Sequence, residues 1–181
     1  SIVGDAAYVL QAMLPQIKEA KHPDWMKMIH EWQAQDYHPV SDPTRLMPHQ
    51  VIGEVCNQCG PEAVYVTDVG QHQMWAAQYL HFDDPIHWMT SGGLGTMGYG
   101  LPASIGAQVA HPDALVINVA GEASWLMNMQ EMGTAVQFRA PVKQFILNNE
   151  RLGMVRQWQQ LLHGERYSQS WSESLPDIVK L

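Results

Sequence analysis

A chain of 181 residues with 46% hydrophobic content is long enough for one sizeable α/β core and a small appendage, and too short for two full domains. Ten Lys and Arg stand against 18 Asp and Glu, a formal net charge of −8, so no basic stripe exists for nucleic-acid phosphates and nucleic acid is not an expected partner. Neither a run of about 18 apolar residues nor a basic-then-apolar N-terminal segment occurs, so no membrane span or secretory signal is expected and the expected location is the cytoplasm.

In chain order, Asp5 can cap a helix in which Ala6, Val9, Leu10, Met13, Leu14 and Ile17 recur at helical spacing, predicting an amphipathic element to about Glu19. A second helix is expected over 24–35. The segment 36–47 carries Pro39 and Pro43 without periodicity and reads as a linker, which divides the chain into 1–35 and 48–181. Beyond it, Pro48 opens a helix to Gln58, and short apolar runs then alternate with longer amphipathic segments. The runs, read as strands, are 63–67, 86–90, 115–119 and 142–147; the helices between and after them are 71–80, 101–109, 124–138 and 153–162. Such alternation predicts an α/β fold, a doubly wound parallel sheet. Cys56 and Cys59 form a Cys-x-x-Cys late in a helix, without a second ligand pair, and read as two reduced thiols rather than a zinc or redox site. The chain starts on Ser1 and stops where an apolar-periodic stretch, Leu175, Ile178 and Val179, begins, so it reads as a piece of a longer protein.

In a doubly wound sheet ligands sit at the carboxyl ends of the strands, so the residues directly after each run carry the functional reading. After the first come Gly70, Gln71 and His72, which on spacing alone are a polar turn. After the second come five glycines in Gly92–Gly100, a sign that backbone approaches something closely or turns through positive φ. Within them Gly93-Leu94-Gly95-Thr96-Met97-Gly98 is a literal Gly-x-Gly-x-x-Gly. A nicotinamide-binding reading would place it after the first strand, with an acidic residue nearer than Glu122, and ranks second. After the third run come Gly121-Glu122-Ala123-Ser124, and after the fourth Asn148-Asn149. The 24 residues between Ala123 and Asn148 are the length of one helix and one strand. This interval brings a carboxylate and an amide oxygen together beside a helix start, where a hard cation and a diphosphate can meet.

Those residues resemble a known family. Gly121-Glu122-Ala123 with Asn148-Asn149 resembles the Gly-Asp-Gly to Asn-Asn motif of thiamine-diphosphate-dependent enzymes. The stretches Val69–Ala77, Thr90–Pro102 and Leu147–Trp158 resemble, more closely still, the catalytic subunits of acetolactate (acetohydroxyacid) synthases. The resemblance implies a diphosphate-binding domain preceded by the helical tail of a central domain. It implies Mg²⁺ held by Glu122, Asn149 and the backbone carbonyl of Arg151, and thiamine diphosphate contacted by Gly70, Gln71, His72, Gly95, Met97, Glu122, Ala123, Ser124 and Asn149. Gln71, His72 and Met97 fall at the catalytic centre, with Met97 the wedge that bends thiamine, while Met154 and Trp158 flank the pocket of the second 2-ketoacid. The implied reaction is decarboxylation of pyruvate and its joining to pyruvate or 2-ketobutyrate in branched-chain amino-acid synthesis. An accessory FAD in the full-length enzyme, a homodimer or homotetramer, and a regulatory small subunit are implied as well.

Two departures qualify the match. The family has Asp where this chain has Glu122, one methylene longer, and weaker cofactor affinity is the expected consequence. The glutamate that protonates the cofactor's aminopyrimidine lies, in that family, in an N-terminal domain with no counterpart among these residues, so the 181 residues alone are expected to be inactive. Glyoxylate carboligase, pyruvate oxidase and a non-catalytic cofactor-binding module are the competing readings. Trp75, Trp88 and Trp125 are expected to pack rather than to contact ligand.

Overall fold

The computed structural model describes residues 2–35, 42–82 and 84–181, and the chain divides into two compact units, 1–40 and 41–181. Residues 36–41 of the expected linker lie outside the described residues.

In the first unit, Asp5 accepts the Tyr8 N–H at 3.0 Å and caps α1 (Ala6–Met13). The helix does not run to Glu19 as its periodicity suggested: Pro15 has no N–H to donate back to residue 11, and Leu14–Gln16 tighten into a 3₁₀ turn. Pro23 opens α2 (Pro23–Gln33), where Trp25 and Trp32 meet edge to face at 6.2 Å. Neither helix buries a residue.

The second unit is built on four strands, β1 (Val64–Thr67), β2 (Trp88–Thr90), β3 (Val116–Gly121) and β4 (Lys143–Leu147), all parallel in the order β2-β1-β3-β4. The two central strands are buried along nearly their whole length, which is why they read as unbroken apolar runs rather than as an alternation. Successive side chains still point to opposite faces. Tyr65, Ile117 and Val119 pack under α3 (Pro48–Cys59) and α4 (Gln71–Tyr79). Val64, Val66 and Val116 pack under α5 (Gly100–Ala110). Helices thus cover both faces, and the doubly wound expectation holds. Trp125 is buried, and Trp75 and Trp88 pack against the Tyr65 cluster. Cys56 is buried in α3, where its thiol donates to the His81 carbonyl, and Cys59 is also a free thiol.

Two elements differ from their sequence patterns. The run 86–90 pairs only from Trp88, because Asp84 accepts the Ile86 N–H and Pro85–His87 form a 3₁₀ turn that leaves Ile86 exposed. The expected helix 124–138 is two helices, α6 (Glu122–Met127) and α7 (Met132–Gln137), separated by a 3₁₀ turn at Met129–Glu131. The break falls at Asn128, whose amide donates at 2.7 Å to the Gly98 carbonyl across the fold. The apolar-periodic stretch near the end of the sequence forms a turn at Asp177–Lys180, with Ile178 packed on the core beside Trp125.

Chain order places the functional end of the sheet. From β1 the chain crosses to β2 on one side and then returns to β3 on the other, so the connections diverge between the carboxyl ends of β1 and β3. A crevice opens at such a switch point. Among the described residues no helix is long and apolar enough to cross a membrane.

Candidate functional site

A cleft of about 200 Å³ lies at that switch point, lined by the residues just beyond β1, β3 and β4 and by Gly95 and Met97 of the loop after β2. Three helices begin there: α4 at Gln71, α6 at Glu122 and α8 (Gly153–Leu162) at Gly153. The first turns of helices have N–H groups without intrahelical acceptors, and three helix starts facing one cleft make it receptive to an anion. Because α6 is only six residues long, its share of this field is smaller than a helix to Phe138 would supply.

Glu122 is 1% exposed and forms the polar wall. Its carboxylate accepts the Arg151 N–H at 2.9 Å and the Asn149 N–H at 3.4 Å, tying the end of β3 to the loop after β4. The same Arg151 N–H also reaches Asn149 Oδ1, at 3.1 Å. A carboxylate oxygen and an amide oxygen therefore converge on one point of the cleft wall. The Arg151 guanidinium turns away over the Trp171 ring, 5.6 Å from its centroid, which leaves the main chain of this residue beside the two oxygens. No group of three His, Cys, Asp or Glu side chains suited to a metal occurs among the described residues. A cation here would be held by mixed carboxylate, amide and main-chain oxygens, the donor chemistry of a hard divalent ion.

His72 stands between the strand ends. Its ring packs on two glycines: a Cβ at Gly121 would come within 2.9 Å of Nδ1, and one at Gly70 within 2.8 Å of Cε1. Burial lowers its pKa to about 4, with the Asp68 carbonyl opposing, so the imidazole is neutral at pH 7, and its Nε2 is buried without a hydrogen-bond partner. Gln71 donates to Gln157 Oε1 at 2.9 Å, linking α4 to α8. Gly153 must be small, since a Cβ there would collide with the Gln71 amide. Ser124 lines the cleft, but its hydroxyl is engaged, donating to the Val69 carbonyl at 2.8 Å.

Residues 68–181 match the family described as "Thiamine pyrophosphate enzyme, C-terminal TPP binding domain". The chain belongs to the thiamine pyrophosphate enzymes. Among curated proteins it is 48% identical to the acetolactate synthase large subunit of Porphyra purpurea, over 100% of this chain and 32% of that protein. It is 44% identical to the acetolactate synthase isozyme 3 large subunit of Escherichia coli K12, over 99% of this chain and 33% of that protein. The chain thus spans about a third of the length of these relatives. Among solved structures it resembles the thiamine diphosphate-dependent 4-hydroxybenzoylformate decarboxylase of Rhodococcus jostii RHA1, with a TM-score of 0.69 and 26% identity over 78% of this chain and 27% of that one.

Within this thiamine pyrophosphate enzyme domain, the cleft brings together Gly70, Gln71, His72, Gly95, Met97, Glu122, Ala123, Ser124, Asn149, Arg151 and Met154, all singled out in the sequence. Trp158 is not among them. It sits one turn beyond Met154 on α8, half-exposed, in a shallower depression with Gln159, His163 and Arg166. Trp75, expected only to pack, lines the cleft as well. Two residues escaped the sequence reading. Asp68, fully buried at the end of β1, accepts the N–H groups of Val69, Gly98 and Gly100 at 2.8, 2.9 and 3.0 Å. Burial pushes its carboxyl pKa up and those three N–H groups oppose the shift. Asn128 was hidden inside an apparently continuous helix. The acidic side chain directly at a strand end was the one available signal for Asp68; none marked Asn128.

Proposed function

We propose that this chain is the diphosphate-binding part of an acetolactate synthase catalytic subunit, binding thiamine diphosphate through Mg²⁺. The observation that carries the reading is the convergence of the Glu122 carboxylate and Asn149 Oδ1 on the Arg151 N–H in a cleft faced by three helix starts. Charge of one sign on the wall and anion-receptive N–H groups beside it suit a metal-bridged diphosphate better than either group alone. Identities of 44–48% to acetolactate synthase large subunits over essentially the whole chain support the same reading.

In this reading Glu122, Asn149 and the Arg151 carbonyl hold Mg²⁺. Ala123 and Ser124, at the start of α6, hold the diphosphate, Gly70 contacts the cofactor, and Gln71 and His72 stand near the reacting centre. The neutral His72 can donate a hydrogen bond or accept one without adding charge. Met97 and Gly95 shape the organic end, and Met154 stands toward the 2-ketoacid. When bound, the thiamine group supplies the electron sink for decarboxylation and carbon–carbon joining of 2-ketoacids in branched-chain amino-acid synthesis. Residues 1–35 form the tail of a central domain that carries FAD in the full-length enzyme, with 36–47 as linker and 48–181 as the diphosphate domain. A homodimer or homotetramer, a regulatory small subunit and a cytoplasmic location complete the proposal.

Calorimetric titration of the 181-residue chain with thiamine diphosphate tests it. Binding is expected with Mg²⁺ and to fall sharply in EDTA. Glu122→Gln should abolish that difference, and Glu122→Asp, the residue usual in the family, should tighten it. Binding unaffected by Mg²⁺ or by both substitutions would overturn the assignment. Acetolactate formation from pyruvate by the isolated chain would overturn the expectation that it is inactive alone.

A further inference from the structure

Gly95 and Met97 stand on a loop that has little means of holding itself. Ser91–Gly100 contains five glycines, and Leu94 at its tip is 93% exposed. Glycine-rich backbone loses the most conformational freedom on ordering, so a cleft wall made from it needs outside restraint.

The restraint is concentrated at Gly98. Its N–H donates to Asp68 at 2.9 Å and its C=O accepts from the Asn128 amide at 2.7 Å, so its own donor and acceptor are both taken by side chains from two other elements. Asp68 reaches on to the Gly100 N–H at 3.0 Å. Glycine is required at both points. Gly98 has φ of 87°, where a Cβ would come within 2.8 Å of the Asn128 amide, and a Cβ at Gly100 would come within 2.9 Å of Asp68 Cβ. At the other end Ser91 accepts the Gly95 N–H through its carbonyl and the Thr96 N–H through its hydroxyl, each at 3.1 Å. Met97 lies between the two fastened ends. Asn128 leaves the helical path to make its bond, with φ of −131° and ψ of 25°, and the gap between α6 and α7 is the structural cost of that contact.

We propose that Asp68 and Asn128 are positioning residues that clamp Gly98 and thereby hold Gly95 and Met97 against the cleft before ligand enters. The proposal rests on the thiamine diphosphate reading. Met97 is apolar and Gly95 offers only main chain, so the part of the ligand they flank is its ring end rather than its anionic diphosphate, which belongs to the Glu122 wall. The clamp therefore sets affinity for the ring end and not for the diphosphate.

The 181-residue chain and its Asp68→Asn and Asn128→Ala variants are titrated with Mg²⁺-thiamine diphosphate and with Mg²⁺-pyrophosphate, and amide exchange at Gly98 and Gly100 is followed by NMR. Asp68→Asn, which weakens charge-assisted hydrogen bonds, should reduce affinity for thiamine diphosphate about tenfold, and Asn128→Ala, which removes a neutral amide–carbonyl bond, about fivefold, with pyrophosphate affinity changed less than about twofold and Gly98 exchange faster by at least about the same factors. Equal losses for both probes would mark a general loosening and overturn the proposal, as would unchanged thiamine diphosphate affinity with faster exchange. If Asp68→Asn does not fold, Asn128→Ala, at a partly exposed site, decides alone. Wild-type protein that binds neither probe would sink the cofactor reading, while the clamp stands or falls on whether Asn128→Ala speeds exchange at Gly98.

Discussion

Asp68 and Glu122 are two buried carboxylates at the ends of neighbouring parallel strands, and both accept backbone N–H groups. They differ in what else they face. Asp68 lies off the cleft, with three close N–H donors. Glu122 lines the cleft, and one of its two contacts is long at 3.4 Å. The residue that spends its oxygens on the chain is a fastener. The residue that lines the cleft beside an amide oxygen is the one proposed above as a ligand. Position at a strand end does not distinguish these roles; the surrounding donors do.

The largest effect is expected from Asp68→Ala. It strands N–H groups that are otherwise buried and bonded, and unfolding by denaturant should show a loss of about 4 kcal/mol, against about 2 kcal/mol for Glu122→Ala. Comparable losses would mean that Glu122 is a fastener too. Next comes His72, between the two strand ends. In metal-free protein the unfolded chain takes up a proton below 6.5 while the folded chain resists until about 4. Folded stability should therefore fall as pH drops through that window, by about 3 kcal/mol. Asp68, with its raised carboxyl pKa, contributes the opposite trend, stability that declines as pH rises from the ordinary carboxylate value to the raised one. The difference between wild type and His72→Gln in denaturation at pH 4.5 and 7 isolates the imidazole, and a difference that does not vary with pH would refute the assignment.

A smaller loss is expected for Gly121→Ala, which drives a methyl toward the His72 ring at 2.9 Å. Overpacking of about 2 kcal/mol in stability should come with weaker thiamine diphosphate binding, since Gly121 and His72 both line the cleft. The least effect belongs to Trp158→Ala. Half-exposed and outside the cleft lining, it should change thiamine diphosphate affinity by less than about twofold, the range of an ordinary surface change. A larger loss by calorimetry would place Trp158 in the cofactor site.

The candidate site was legible in the sequence to the extent that it is local. Gly121–Ser124 and Asn148-Asn149 lie directly after apolar runs, and because parallel strands end at one edge their interval was enough to bring them together, whereas Gly70-Gln71-His72 read as a polar turn until the resemblance was added. Met154, which the resemblance implied, stands at the start of the next helix and lines the cleft. Trp158, which the resemblance set beside the second 2-ketoacid, stands outside this cleft on α8. Asn128 lay in a segment whose composition is helical throughout.

The alternation of strand and helix and the glycines where backbone must turn or pack closely were readable from residue order alone. These arise from side-chain period and from the conformations glycine alone tolerates, both properties of neighbouring residues. Two features came only from contacts between distant segments: the break at Asn128 in the helix after Glu122, and which of two buried carboxylates faces the cleft. In each case a hydrogen bond or packing contact fixed the outcome, and for Asp68 and Asn128 the bonds join residues 30 or more positions apart. Such partners leave no mark in a local pattern, and a single well-placed bond to a buried group outweighs the few tenths of a kcal/mol by which helix propensity favours continuing.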